Sequence, residues 1–295
     1  MPSVRYPCVS FLSDFGLTDE FVGVVHAVLA DLAPQVRIVD LTHGVPAHDV
    51  RAGALALARC TPYVPAGVIL AVVDPGVGTD RRAVAIEVAG GSGVFVGPDN
   101  GLLAPAVALA GGAERAVVLS NPDFQLPAPG PTFSARDVFA PAAAHLCLGV
   151  DLSDLGEAID PALLMPGIVP LIRHEGDVVV GEVLWVDRFG NAQLNIEPSD
   201  IDGWGDAVAL RFGDEVRTVH RAASFDAIGA RVGLVVDANG LLAVALARRS
   251  AADELGLGPS TEVRLAPLTD DAGAAGAADR AGAGTTTSVS LRPHR

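Results

Sequence analysis

Short apolar runs, each closed by a carboxylate and a glycine turn, punctuate the first half of the chain. Residues 9–12 run into Ser13-Asp14-Phe15-Gly16, and residues 36–39 into Asp40-Leu41-Thr42-His43-Gly44. A third run, 68–73, ends on Asp74-Pro75-Gly76-Val77-Gly78. Runs of this length bounded by Gly, Pro and Asp read as buried strands. Further strands are expected near 83–88, 93–97 and 115–119. Between the runs, apolar residues at helical spacing predict helices over 21–32, 49–60, 101–110 and 135–148, with Thr18 as N-cap of the first. The alternation predicts an α/β domain with a mostly parallel sheet over residues 1–150.

The texture changes in the second half. Residues 151–176 are Pro-rich and irregular, and read as a linker. From Asp177 the apolar runs become short and turn-separated: 178–186, 192–196, 207–212, 215–220, 233–236, 241–247 and 261–265. That pattern predicts an all-β barrel domain over 177–266. Residues 267–295 are rich in Asp, Ala, Gly and Thr, show no periodicity, and read as a disordered tail.

In open α/β sheets ligands bind at the carboxyl ends of strands. Asp14, Asp40 and Asp74 all stand at such ends and form a candidate polar rim. Arg81 follows Asp74 by seven residues, within reach of it across the Pro/Gly turn. The plain structural alternative is an Asp that caps its own turn.

The 295 residues carry a formal net charge of −15 and contain no lysine, all 20 basic residues being Arg. Phosphate binding needs a basic surface, so nucleic acid is not expected as a partner. The missing lysine excludes a P-loop, a Schiff-base lysine and a lysine general base. No apolar run approaches the roughly 20 residues of a membrane span, and the N-terminus lacks a signal-peptide core. Cys8, Cys60 and Cys147 are widely spaced, with neither zinc nor disulfide spacing, which fits buried thiols in a cytoplasmic protein.

Five motifs remain: Phe11-Leu12-Ser13-Asp14-Phe15-Gly16, Val73-Asp74-Pro75-Gly76-Val77-Gly78-Thr79, Pro98-Asp99-Asn100-Gly101-Leu102-Leu103, Thr132-Phe133 followed by Arg136-Asp137-Val138-Phe139-Ala140-Pro141, and Asp187-Arg188-Phe189-Gly190-Asn191. Taken in order and spacing, they resemble the S-adenosyl-L-methionine (SAM) hydroxide adenosyltransferases, adenosine-forming SAM hydrolases related to the fluorinase and chlorinase. The resemblance spans about 9–265. It implies an N-terminal α/β domain, a C-terminal β-barrel, and a homotrimer that binds SAM where one subunit's N-domain meets its neighbour's C-domain. The implied reaction is in-line displacement at C5′ by water or hydroxide, with methionine leaving, no metal and no cofactor beyond the substrate.

Carried over by motif, the resemblance implies that Asp14 holds the ribose hydroxyls, that Asp74 sits by the nucleophilic water, and that Arg81 pairs with Asp74. It implies Asp187 for the methionine ammonium, Phe189 and Phe225 for the adenine faces, and Asn191 for the adenine edge. Asp19, Phe21, Phe133, Ala238, Asn239 and Leu246 complete the implied substrate contacts, Ala238-Asn239 standing where the halogenases carry Ser-Arg. The hydrolases have a histidine in Thr-Phe-His-Gly-Arg-Asp; here Ser134-Ala135 stand instead, leaving Ser134 as the third catalytic candidate. His48 and His145 are the alternative imidazoles. Three features argue against halogenation. Asp74 replaces the halogenase Tyr and would repel a halide. Only a short turn, 89–93, stands where the fluorinase has an insertion, and Ala135 replaces its fluoride-binding serine. A SAM-binding protein without turnover is the alternative that the missing histidine leaves open.

Overall fold

The computed structural model describes residues 4–268. The tail expected over 267–295 lies outside them, apart from its first two residues. The described residues form two compact units that part between Val169 and Pro170.

The first unit holds β1 (Cys8–Ser13), α1 (Phe21–Leu32), β2 (Arg37–Thr42), α2 (Val50–Cys60), β3 (Val68–Val72), β4 (Ala83–Val88), β5 (Gly93–Pro98), α3 (Ala104–Leu109), β6 (Ala113–Val118), α4 (Ala140–Cys147) and β7 (Glu157–Ile159). Its sheet runs β2-β1-β3-β5-β4-β6-β7. The pairs β1–β2, β1–β3 and β3–β5 are parallel, whereas β4–β5, β4–β6 and β6–β7 are antiparallel. The sheet is therefore parallel on one side and antiparallel on the other. The reason is chain length: only Ala89–Ser92 separates β4 from β5, and a parallel return needs a crossover of about a dozen residues. Positive φ at Ala89, Gly90 and Gly91 closes that hairpin.

Both faces of the sheet are covered. Alternate residues of β3 point opposite ways. Val68, Leu70 and Val72 pack with residues of α1 and α4, while Ile69 and Ala71 pack with residues of α2 and α3. With both sides buried, β3 is a continuous apolar run rather than an alternating one, and β1 is buried throughout, its Ser10 and Ser13 included.

Helix boundaries differ from expectation at three places. Glu20, not Thr18, precedes α1, and it makes no side-chain cap. The helix expected over 101–110 starts at Ala104, because Gly101 is left-handed (φ +93°) and Pro105 suits a first helical turn. The helix expected over 135–148 opens with a wide turn, Ala135–Phe139, in which Ala140 N bonds the Ala135 carbonyl. Pro141 has no N–H to give the Asp137 carbonyl, which accepts from Leu126 N at 2.9 Å instead. The stretch expected as a linker adds β7 to the sheet edge.

The second unit comprises β8 (Arg173–Glu175), β9 (Val178–Val186), β10 (Ala192–Leu194), β11 (Ala207–Phe212), β12 (Glu215–Arg221), β13 (Val232–Val236), β14 (Leu242–Ala245), α5 (Ala251–Leu255) and β15 (Glu262–Pro267). The order β10-β14-β13-β12-β11-β15-β9 closes through β9–β10 into a seven-stranded barrel, with β8 appended to β9. Val183, Leu194, Val208, Leu210, Val244 and Leu265 fill it. The pattern reading did not include α5, although Ser250 as N-cap (accepting from Asp253 N at 3.0 Å) and left-handed Gly256 at its end are visible signals. Among the described residues no helix is long and apolar enough to cross a membrane.

Candidate functional site

Because β1 and β3 are parallel neighbours with Ser13 opposite Val72, their following residues emerge side by side at one edge of the sheet. There Asp14 and Asp74 line one cavity of about 240 Å³ with Phe15, Phe21, His48, Phe133 and Ser134. Asp74 rides on two tight turns: Val77 N bonds the Asp74 carbonyl at 3.2 Å, and Thr79 N bonds the Gly76 carbonyl at 3.2 Å. The second turn needs a positive φ, which Gly78 supplies at +81°.

Those turns return Arg81 to Asp74. Arg81 Nε donates to Asp74 Oδ1 at 3.0 Å and Nη2 donates to Oδ2, a two-point fork. Both side chains are nearly out of solvent, 11% and 6% exposed. Burial pushes the Asp74 carboxyl above its ordinary value; the charge and hydrogen bonds of Arg81 oppose the rise, and Asp14 nearby adds to it. Arg81 is fixed further by Nη1 on the Arg82 carbonyl at 3.0 Å and by the Phe139 ring 5.4 Å beneath its guanidinium.

Ser134 stands between this cavity and a neighbouring one of about 260 Å³ that Thr79, Arg81 and Asp137 also line. Phe133 meets Phe15 and Phe21 edge to face, with centroids 6.0 and 5.1 Å apart, while Phe15 and Phe21 are tilted at 50° with centroids 5.7 Å apart. Arg136 lies 5.1 Å over Phe133 and grips buried Asp137 with Nε at 2.6 Å and Nη2 at 2.9 Å. Asp14 Oδ2 accepts from His48 N at 2.8 Å, and His48 itself is left-handed at φ +68°. A non-glycine residue held there marks a constrained loop.

The Pro-Asp-Asn-Gly motif supports rather than lines this cavity. Asn100 Nδ2 bonds the Val73 carbonyl at 2.9 Å, just before Asp74. Asp99 takes Arg82 Nε at 2.8 Å and Met165 N at 2.8 Å. Asp19 is exposed in the bend before α1, outside the cavity lining. His145 packs on Phe124 at 5.0 Å within the helical layer, where burial lowers its pKa.

In the barrel unit a cavity of about 480 Å³ is lined by Phe189, Asn191, Phe225 and Leu246, with Arg248, Arg249 and Ser250. Phe189 and Phe225 are 77% and 50% exposed. Asp187 shapes the loop beneath: its Oδ1 accepts from Phe189 N at 2.8 Å and Asn191 N at 2.9 Å, and Oδ2 from Asn191 Nδ2 at 2.7 Å. Ala238 and Asn239 lie on the β13–β14 turn, outside that lining; Asp237 holds this turn and bonds buried Gln193. Arg248, left-handed at φ +58°, is a lining residue the motif reading missed.

Two family models match the chain. The SAM hydroxide adenosyltransferase N-terminal domain matches residues 9–156, and the corresponding C-terminal domain 181–264. The chain is 46% identical over 259 residues to an (R)-S-adenosyl-L-methionine hydrolase of Salinispora tropica, covering 88% of this chain and 97% of that one. It is 29% identical over 229 residues to a fluorinase of an Actinoplanes species, covering 70% and 76%. The crystal structure of an uncharacterized conserved protein from Thermotoga maritima superposes with a TM-score of 0.80 at 32% identity, covering 88% and 99%.

Proposed function

The chain belongs to the SAM hydroxide adenosyltransferase family, and on that basis we propose that it hydrolyses S-adenosyl-L-methionine to adenosine and L-methionine. The observation that carries the reading is the Asp74–Arg81 fork at the head of the cavity that Asp14 shares.

The chemistry suits these groups. The leaving group is a neutral thioether departing a sulfonium, so no general acid and no further cofactor is required. The enzyme has to hold a water or hydroxide in line with the C5′–S bond and keep bulk water out. In this reading Asp74 accepts a hydrogen bond from the nucleophile, and Arg81 keeps the carboxylate ionised and aimed. Asp14 takes the ribose hydroxyls; two hydroxyls on one carboxylate match its acceptor-only character. Phe21 and Phe133 form an apolar wall, and Ser134 is a hydroxyl partner for the water. His48 is the imidazole of this lining. The absence of the family histidine leaves the Asp–Arg pair intact.

The barrel cavity supplies the other half of the reading. Phe189, Phe225 and Leu246 offer apolar faces to adenine, Asn191 its amide, and Arg248 a charge for the methionine carboxylate in place of Ala238-Asn239. Asp187 positions the loop and presents its remaining lone pairs to the ammonium. We propose a homotrimer in which the open, aromatic-lined cavities of neighbouring subunits face one another; the exposure of Phe189 and Phe225 supports this.

The test is incubation of the purified chain with SAM in halide-free buffer, with adenosine and methionine followed by chromatography. Equimolar products, with solvent oxygen at C5′, are expected. SAM binding without product, or a halide-dependent 5′-halo-adenosine, would overturn the reading.

The pH profile gives a second test. Activity requires ionised Asp74, whose carboxyl is pushed up by burial, so the acid limb of kcat/KM is expected above the ordinary aspartate value of about 3.9. Arg81→Gln removes the charge that opposes the rise. Its residual activity is expected to lose the acid side at higher pH than wild type. A limb that stays put or moves down would show that Asp74 is not the titrating group.

A further inference from the structure

The first unit also holds a cluster that the proposed hydrolysis does not use. His26 comes from α1, Asp40 from β2 and His43 from the turn after β2, with one ligating atom of each within 4.8 Å of the others. His26 Nε2 is 2.8 Å, and His43 Nε2 3.1 Å, from the same oxygen, Asp40 Oδ1. The His43 side chain is 4% exposed, yet its Nε2 has no aligned hydrogen-bond partner among the described residues. The ring cannot turn to find one. Its Nδ1 is bonded to the buried Ser13 hydroxyl at 2.7 Å, and Phe11 packs against it at 4.6 Å.

A buried ring nitrogen close to a carboxylate oxygen but out of line with it is a poor donor. The same placement suits two ligands of one cation. The metal then lies on the nitrogen's in-plane lone pair, and the neighbouring ligand sits off that axis. With tetrahedral metal–ligand bonds of about 2.0–2.2 Å, neighbouring ligand atoms lie roughly 3.4 Å apart; the two nitrogen–oxygen distances of 2.8 and 3.1 Å, and all three ligand atoms within 4.8 Å, leave a small outward adjustment for an ion.

We propose that His26 Nε2, His43 Nε2 and Asp40 Oδ1 form a binding site for a divalent transition cation, zinc being the best match. Two borderline imidazoles with one carboxylate oxygen are a donor set that zinc accepts, and they leave a fourth position for water. Ser13 is the outer partner that holds the His43 ring. His26 and Asp40 are 34% and 41% exposed, so the ion enters from solvent. The site is a clamp rather than a reactant. The His43 carbonyl accepts from Gly16 N at 2.7 Å and the Ser13 hydroxyl from Phe15 N at 3.3 Å, so the cation would tie α1 and β2 to the turn that carries Asp14.

The test is equilibrium dialysis of the tag-free, chelator-treated full chain against Zn²⁺, with bound metal measured by elemental analysis and the thermal midpoint followed in parallel. One zinc per chain is expected, with a raised midpoint. His26→Gln and Asp40→Asn, at partly exposed positions, are each expected to weaken binding at least tenfold and to abolish the midpoint shift. His174→Gln, on the exposed strand β8, is expected to change neither. Absence of saturable one-to-one uptake, or uptake unchanged in both ligand variants, would overturn the proposal. None of these readouts depends on SAM turnover, so the two readings fail separately.

Discussion

Asp74→Asn is expected to lower kcat for adenosine formation by roughly 10²–10⁴-fold, the range spanned by a positioned acid–base group. Asparagine keeps the side chain's volume and one acceptor for Arg81, but cannot accept a proton or hold a hydroxide through charge. Asp74→Ala would be harder to interpret. Arg81 is 11% exposed, and stripping its partner leaves a buried cation, which costs about 3–5 kcal/mol of stability. The check pairs steady-state kinetics with thermal denaturation of Asp74→Asn. A folded variant that retains wild-type turnover would remove Asp74 from the mechanism.

Gly190→Ala is expected to destabilise the barrel unit by about 2–5 kcal/mol and to raise KM for SAM at least tenfold. Gly190 sits at φ +82°, and an added Cβ would lie 2.2 Å from Ser250 Oγ and 2.5 Å from Ser250 Cα. A left-handed alanine costs about 1–2 kcal/mol and overpacking a further 1–3 kcal/mol. Neither side can retreat easily: Ser250 caps α5, and Ala252 N bonds the Gly190 carbonyl at 2.9 Å. The displaced segment carries Phe189 and Asn191, hence the effect on KM. Gly240→Ala is the matched control, with φ also +82° and nothing within 4 Å of its Cβ. It should show only the backbone cost. Equal losses in melting temperature for the two variants would mean that the Ser250 contact is not limiting.

Much of the first cavity was legible because its parts are local. Asp14 and Asp74 stand just past apolar runs, and the two turns between Asp74 and Arg81 are written in Pro75, Gly76 and Gly78. What could not be read was support from afar. His48 N on Asp14, Asn100 on the Val73 carbonyl and Arg136 over Phe133 join segments tens of residues apart, or depend on ring orientation. Arg248 was missed because no motif holds it; a left-handed turn after β14 places it at the barrel cavity. Asp19, Ala238 and Asn239 were expected from motif position, yet lie outside the cavity linings within each unit.

The sequence by itself determined the α/β-then-barrel order, the strand-end carboxylates and the Asp74–Arg81 spacing, since hydrophobic period and turn residues act over a few positions. Tertiary structure alone decided the rest. Which strands are neighbours set which carboxylates share a cavity, and a four-residue link turned half the sheet antiparallel. Burial raised the Asp74 carboxyl, and the fold brought His26 of α1 to Asp40 of β2 and to His43 in the turn after it. Those outcomes depend on distances between segments remote in the chain, which no local pattern encodes.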